Sequence, residues 1–520
     1  MEITVQLFAT GMDSFKDENV GLGRITAYLR QNGKSVKQTY LCDDDYINEL
    51  RNIDLSCTIF GFSIYNTNVD YLLPIFDWIK SNIKNSIIVL GSKFATAYCH
   101  DILDNSIFKN IDAIILGDGE KTLLEIVEHM EKQLPFDKLA ETHPHISTKS
   151  YRHLKSPASL DIKTLPYADR SWIKYNGNLD AYICDCHGCA GNCSFCTYGN
   201  YYDEWTGRDG NDLFREVIEI YHKNKIRSFL FTGGSLEDCV STGKDKIKVF
   251  CENIISSGIK LGFTCYMRSE SFHDNDDDKN LLKLMRKAGF QIIQSGIESG
   301  NEEDLKIYNK RCTYEDNVRM LKMLKEADIY GGAFGFVMFN PFSNWEKIKC
   351  NYSFLVNQNV ANINKYISKL LIYKSTAIYD VAEKNGLIDH SQSFYKDQFL
   401  QYKFMDPEMT ILWDFVYEYL YSNKTIDRII HSNEGVITLA YKYRDIIEDG
   451  QKFVDDLKMI LSRNEEKLKQ YFYHLYVENN IDYGKKHHQD LVDVLTQSES
   501  ELLLLHSKLL KKLFRLQATT

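Results

Sequence analysis

Short apolar runs alternate with amphipathic stretches over the first 134 residues. ITVQLFAT (3–10), CTIFGFSIY (57–65), SIIVLGS (86–92) and IDAIILGDG (111–119) are brief and nearly continuous in apolar content, and read as buried strands closing on small residues. Between them, GLGRITAYLRQNG (21–33), VDYLLPIFDWIKSNI (69–83) and EKTLLEIVEHMEKQ (120–133) repeat their apolar residues at helical spacing. Strand and helix in alternation predict a doubly wound, Rossmann-like parallel sheet over residues 1–134, whose ligands sit at the carboxyl ends of the strands.

Residues 135–178 lose that periodicity and contain Pro144, Pro157 and Pro166, so they read as a linker. A second series then begins. LDAYICDC, IRSFLFTGG, IKLGFTCYM, FQIIQSGIES, GGAFGFVMF and KYISKLLIY have strand character, and four helical patterns lie among them. Six such repeats predict a partial (β/α)6 barrel over 179–378, with functional loops at the strand C-termini. Beyond Tyr379 helical patterns take over, and 379–520 reads as a helical C-terminal domain. Its last pattern, ESELLLLHSKLLKKLFRL, puts Leu on one face and Lys on another, as a helix packed on the body does.

Length and composition narrow the function. A chain of 520 residues exceeds one ordinary core, and 44% hydrophobic with 26% charged residues is the balance of folded protein. A net charge of −10 argues against a broad nucleic-acid footprint. The N-terminus has no secretory pattern and no apolar run reaches the roughly 18 residues of a spanning helix, so a cytoplasmic protein is expected. In that compartment the 13 Cys stay reduced, and a tight group of them points to metal or catalysis.

One such group ends the first strand of the second series, in CDCHGCAGNCSFCTYGN (184–200). Cys189, Cys193 and Cys196 stand at C-x3-C-x2-C, with Phe195 before the last. One loop can set three thiolates around an iron–sulfur cluster and leave one iron open for chemistry. The alternative is zinc, with Cys184, Cys186 or His187 closing a tetrahedron.

With the barrel pattern behind it, this loop resembles the radical S-adenosylmethionine superfamily, and the first domain resembles the cobalamin-binding module fused to one branch of it. The resemblance covers about residues 1–375. It implies a [4Fe–4S] cluster on the three cysteines, S-adenosylmethionine cleaved to a 5′-deoxyadenosyl radical, and an electron donor such as flavodoxin or ferredoxin. Phe195, Gly233, Gly234, Ser235, Arg268 and Glu298 are the implied S-adenosylmethionine contacts, although the acidic residue and Pro usual after the glycines are missing. GFSIYNTN (61–68), VLGSKFAT (89–96) and LGDGEKTLLE (116–125) match three loops that embrace the corrin, which implies Ser63, Tyr65, Gly91, Ser92, Gly117, Gly119 and Glu120 as cobalamin contacts. Ser92 and Asp118 replace a usual Gly and Glu. The chain has no D-x-H-x-x-G, so no histidine is implied on cobalt.

The implied activity is cobalamin-dependent methyl transfer to an unactivated centre of a small-molecule or peptide substrate of natural-product type. Two alternatives stay open. One is a radical enzyme that does not methylate, in a ring contraction, dehydration, epimerisation or cyclisation, with cobalamin absent or in another role. The other is a non-catalytic metal-binding scaffold.

Overall fold

A computed structural model describes residues 3–10, 18–41, 50, 53–153, 159–171, 180–198, 201–202, 204–239, 242–391, 393–395 and 400–518. The first domain runs β1 (Thr4–Thr10), α1 (Val20–Gln31), β2 (Ser35–Leu41), β3 (Ile59–Ser63), α2 (Val69–Asn82), β4 (Ile87–Gly91), β5 (Ala113–Ile115) and α3 (Gly119–Glu131). The strands stand in the order β2-β1-β3-β4-β5, all parallel, and β6 (Ile146–Ser147) adds an antiparallel edge. All five residues of β3 are buried, as a central strand covered on both faces requires. Side-chain alternation then sorts the core into two layers. Phe8, Phe60 and Phe62 pack toward α2 on one face, with the Phe8 and Phe62 rings stacked at 4.6 Å. Leu7, Ile59 and Val89 pack toward α1 and α3 on the other.

The structure adds two strands that the apolar pattern does not reveal. β2 buries only Val36 and Leu41 of its seven residues, because it is the sheet's edge. β6 lies inside the stretch read as linker, where two residues are too few to show a period. Pro157 of that stretch is outside the described residues.

The second unit runs β7 (Asp180–Ile183), α4 (Gly210–Asn224), β8 (Ser228–Phe231), α5 (Gly243–Ser257), β9 (Gly262–Met267), α6 (Asp276–Ala288), β10 (Phe290–Ser295) and α7 (Tyr314–Glu326). Its four strands are parallel in the order β10-β9-β8-β7. The fifth and sixth strands are present only as single parallel bridges, Ile292 to Tyr330, Glu298 to Phe336 and Phe339 to Lys369. KYISK, read as strand, instead forms a short helix at Ile363–Ile367, because the Asn362 side chain caps it by accepting from the Lys365 N–H at 2.9 Å.

The C-terminal region is helical as expected, with α8 (Lys424–Lys442), α9 (Gly450–Tyr476) and α10 (Ile481–Ala518) packed on one another and on Ile292 and Tyr330 of the barrel. In α10, Leu502, Leu505, Leu509 and Leu513 are buried along one face. Among the described residues no helix is long and apolar enough to cross a membrane.

A buried ionic seam joins the two α/β units. The Glu18 carboxylate accepts the Tyr182 N–H at 2.7 Å and pairs with Arg170 at 2.5 Å, and Arg170 pairs in turn with Glu216 of α4 at 2.9 Å. The strand ends of the first sheet thereby face the loop that follows β7.

Candidate functional site

The three motif cysteines are half-buried on the loop after β7, whose base is closed by Cys186–His187 pairing with Thr206–Gly207. A Cβ built on Gly191 would lie 3.4 Å from Cys189 Sγ and 4.0 Å from Cys193 Sγ, so two thiols flank a residue that has no side chain. The Cys196 N–H donates to the Cys193 carbonyl at 3.1 Å, which turns the loop back, and the Cys196 thiol lies near enough to act electrostatically on both other thiols. Burial, and next Asp238, push the Cys189 thiol up to about 12. Loading a thiolate-bound centre here therefore releases a proton from a reluctant group.

The zinc alternative finds no fourth partner in the expected places. Cys186 lies beneath Gly233, its Sγ 2.5 Å from where a Cβ of that glycine would stand. His187 Nε2 lies 2.6 Å from Arg24 Nη1 and its Nδ1 faces Leu160 O and Asp118. Among the described residues no three His, Cys, Asp or Glu converge tightly enough for a single ion.

Gly233 and Gly234 end β8 directly against the loop. A Cβ on Gly234 would stand 2.6 Å from Cys189 Cβ and 2.9 Å from Gly188 O, and one on Gly233 would meet Asp185 Oδ1 at 2.3 Å. Only glycine permits this approach. Ser235 is fully buried and donates to Glu237 Oε2 at 2.7 Å.

Around Arg268 the barrel mouth is dense in charge. The guanidinium meets Asp238 at 2.6 Å, Glu270 at 3.4 Å and Glu237 at 3.6 Å, and Glu237 also accepts the Arg268 N–H at 3.0 Å. Asp238 Oδ2 accepts the Ala190 N–H at 2.9 Å, which ties this cluster to the cysteine loop. Arg268 Nη1 lies 3.9 Å from Cys189 Sγ. Three carboxylates against one guanidinium leave the mouth negative, and Glu270 Oε2 is buried without a hydrogen-bond partner. A cationic sulfonium or ammonium fits such a place.

Glu298 sits at the fourth strand's end with φ 62°. Burial raises its pKa, opposed by Lys310, and Gly335 leaves room for its carboxylate, since a Cβ there would lie 3.0 Å from Oε2. Sequence reading missed Lys310, Glu237 and Asp238, lone residues in no recognised spacing. Two further buried polar residues, Arg208 and Asn340, are structural. Arg208 enters α4 bonded to Asp212 and Glu216, and Asn340 is fully buried with Nδ2 donating to Asp304 at 3.0 Å and Tyr308 at 2.8 Å. Phe195 packs edge-on against Tyr308 at 5.4 Å.

The second half of the site is a cavity of about 470 Å³ between the first sheet's strand ends and the cysteine loop. Ser63, Tyr65, Gly91, Ser92, Gly117, Gly119 and Glu120, named from sequence, all line it. A Cβ on Gly91 would meet nothing within 4 Å, so its missing side chain is open space. Ser92 has φ 140°; its hydroxyl donates to Ile64 O at 2.5 Å and accepts the Ala95 N–H at 3.1 Å, which fixes the loop. From the other side come Cys184, His187, Tyr198, Tyr201 and Tyr202. His187 stacks on Tyr202 at 4.7 Å, and Arg24 and His187 outweigh burial to hold the Cys184 thiol below its usual range.

A doubly wound domain thus faces, with its strand ends, a three-cysteine loop on a partial β/α barrel. Residues 183–350 match the family model of the radical SAM superfamily, and the chain carries that domain. The fold is that of the cobalamin-dependent radical enzyme OxsB, solved with aqua-cobalamin and S-adenosylmethionine bound, at TM-score 0.72 and 18% identity over 99% of this chain and 80% of that one. Curated relatives include the anaerobic magnesium-protoporphyrin IX monomethyl ester cyclase of a Synechocystis species, 23% identical over 65% of this chain and 66% of that protein. The cytidylyl-2-hydroxyethylphosphonate methyltransferase of Streptomyces wedmorensis is 20% identical over 76% of this chain and 83% of its own. The chain spans only 41% and 44% of two further cyclases, from Cereibacter sphaeroides and Rubrivivax gelatinosus.

Proposed function

We propose that this protein is a cobalamin-dependent radical S-adenosylmethionine methyltransferase acting on an unactivated centre of a small-molecule or peptide substrate. The observation that carries this reading is the juxtaposition of the three-thiol loop with the cavity at the first sheet's strand ends, so that two cofactors would share one chamber. Cys189, Cys193 and Cys196 would hold a [4Fe–4S] cluster. Gly233, Gly234, Ser235, Arg268 and Glu298 would receive S-adenosylmethionine, with Phe195 packing the loop against Tyr308; the corrin would rest on Ser63, Tyr65, Gly91, Ser92, Gly117, Gly119 and Glu120. When bound, these groups supply a 5′-deoxyadenosyl radical and a transferable methyl group.

The chain's own part is placement and exclusion. The glycines admit the cosubstrate's backbone-level approach, the carboxylate-braced Arg268 is held rigid beside Cys189, and Tyr198, Tyr201 and Tyr202 wall the chamber against water that would quench a radical. Residues 1–134 would act as the corrinoid module, 135–178 as connector, 179–378 as radical domain and 379–520 as a helical brace. The reading includes an electron donor of the flavodoxin or ferredoxin kind and a cytoplasmic setting.

The test is anaerobic purification with cobalamin supplied, iron, sulfide and corrinoid determination, and product analysis with candidate substrates. Both S-adenosylhomocysteine and 5′-deoxyadenosine are expected. 5′-Deoxyadenosine alone would move the assignment to a radical enzyme that does not methylate, and zinc in place of iron would sink it.

A further inference from the structure

The cavity between the two domains carries one cation without an ion pair. Of its ionic lining, Glu18 is paired with Arg170, Asp118 faces His187 at 3.3 Å and accepts the Leu160 N–H at 2.8 Å, and Arg24 is bonded to His187 and offsets Glu120. Lys93 differs. It follows Ser92 at the end of β4, lines the cavity, and among the described residues its ammonium is in contact with two ring faces and no carboxylate, Tyr198 at 3.9 Å and Tyr201 at 5.7 Å, while Asp118 and the Cys184 and Cys196 thiols act on it only at longer range.

A cation–π contact offsets only part of the cost of taking an ammonium out of water. The rings therefore do not balance the burial of this charge. Both ends of the contact are nonetheless held in place. The Ser92 hydroxyl pins the loop that carries Lys93, and the Tyr198 hydroxyl donates to Cys186 O at 2.7 Å, which fixes the ring two residues past Cys196. An ammonium kept unpaired at a fixed point, between the sheet's loops and the cysteine loop, is set to receive an anion there.

We propose that Lys93 is the anion-docking side chain of this chamber, and that the substrate enters it through an oxyanion group, a phosphate, phosphonate or carboxylate. This rests on the chamber being the place of reaction, as argued above. Lys93 is a binding residue: it would anchor the far end of the substrate and so set which carbon lies between the two cofactors. The corrinoid's own phosphodiester is the other possible source of the same chemistry, and the experiment separates them.

The probe is phenyl phosphate, with benzyl alcohol as its uncharged counterpart, titrated by ³¹P and ¹H NMR into full-length protein with and without bound hydroxocobalamin. Wild type, Lys93→Arg and Lys93→Met are compared, with corrinoid per chain and the melting curve recorded for each. Lys93→Met is expected to bind phenyl phosphate at least about tenfold more weakly, a loss of about 1.4 kcal/mol. Lys93→Arg should stay within about threefold, because guanidinium also pairs with phosphate. Benzyl alcohol binding and corrinoid content should not change. Equal phosphate binding in wild type and Lys93→Met, or none in either, overturns the proposal. Loss of corrinoid in Lys93→Met alone would hand Lys93 to the cofactor and overturns it too. Failure of the wild type to take up corrinoid would count against the methyltransferase reading instead, and the corrinoid-free titration would still decide the role of Lys93.

Discussion

At the ends of β3 and β4 the first domain offers Ser63, Gly91 and Ser92, small groups around open space, while the barrel mouth offers Arg268 held among Glu237, Asp238 and Glu270. One half makes room and the other supplies charge. The difference fits what each would hold. A broad macrocycle is gripped over a wide area by backbone and small side chains, whereas a small zwitterionic sulfonium needs a few charges in fixed places. The two halves should then fail separately when altered, and the predictions below divide them in order of falling effect.

The sharpest division comes from the cysteines. Replacing Cys189, Cys193 and Cys196 together by Ala should bring iron and sulfide to background and abolish 5′-deoxyadenosine formation. Corrinoid content should stay at the wild-type level, because none of the three residues lines the cavity. Joint loss of both cofactors would show that the halves are not independent.

Two glycine substitutions test the same contrast from the side of space. Gly234→Val puts a side chain against Cys189 and the Gly188 carbonyl, so it should destabilise the fold by about 1–3 kcal/mol and impair cluster loading. The Cβ of Gly91→Val would meet no atom within 4 Å, so this variant should melt as the wild type does while binding corrinoid more weakly. Thermal unfolding beside iron and corrinoid determination reads both. A destabilised Gly91→Val would mean that the open space is not where it is drawn.

The seam between the halves predicts an acid response. Glu216 is buried, which alone would raise its carboxyl, but Arg208 and Arg170 outweigh burial and hold it below its ordinary value of 4.5. A carboxylate so lowered contributes stability above that value and loses it as pH falls through the folded-state value. Through Glu216 the melting temperature should therefore fall as pH drops below 4.5, against an opposite contribution from Glu18, whose carboxyl burial raises. Glu216→Gln should flatten that limb and cost about 1–3 kcal/mol at neutral pH, since two buried guanidinium groups each lose one carboxylate partner while Arg170 keeps Glu18 and Arg208 keeps Asp212. An unchanged acid limb in the variant would place the sensitivity elsewhere.

Much of this arrangement is legible in the chain, and the parts that are not share a cause. The parallel strands β1, β3, β4 and β5 announce themselves because burial on both faces makes them continuously apolar. β2 does not, because an edge strand needs to bury only Val36 and Leu41. The seven cavity residues of the first domain were readable as loops at strand ends, where topology alone puts ligands. Lys93 sits inside one of those loops and was still invisible as a functional residue, because its meaning depends on Tyr198, more than a hundred residues away. Glu237 and Asp238 are hidden for the same reason: their partners, Arg268 and Ala190, come from other strands. KYISKLLIY divides: residues 365–367 yield to the helix capped by Asn362, while Ser368 and Leu370 pair with Phe339 as a strand does.

The last division concerns what the end of the barrel and the C-terminal region lend the first domain, and two of these contacts are of unequal weight. Phe394 stacks on Tyr98 at 5.4 Å and lies 6.4 Å from both Phe94 and Phe108, so it braces the short helix that begins at Lys93 and lines the cavity. Lys374 pairs with Asp101 at 2.7 Å, but the two side chains are 42% and 30% exposed. Water screens that pair, and such pairs contribute about 0–1 kcal/mol. Removing a packed aromatic ring costs about 3 kcal/mol or more. Phe394→Ala should therefore weaken corrinoid binding severalfold and leave iron content unchanged, since its contacts lie on the sheet's side of the chamber. Asp101→Asn should change neither beyond experimental scatter, at low or high salt. A salt-dependent loss of corrinoid in Asp101→Asn would make the brace electrostatic, and would mean that the first domain is held over the barrel by charge at its rim as well as at its seam.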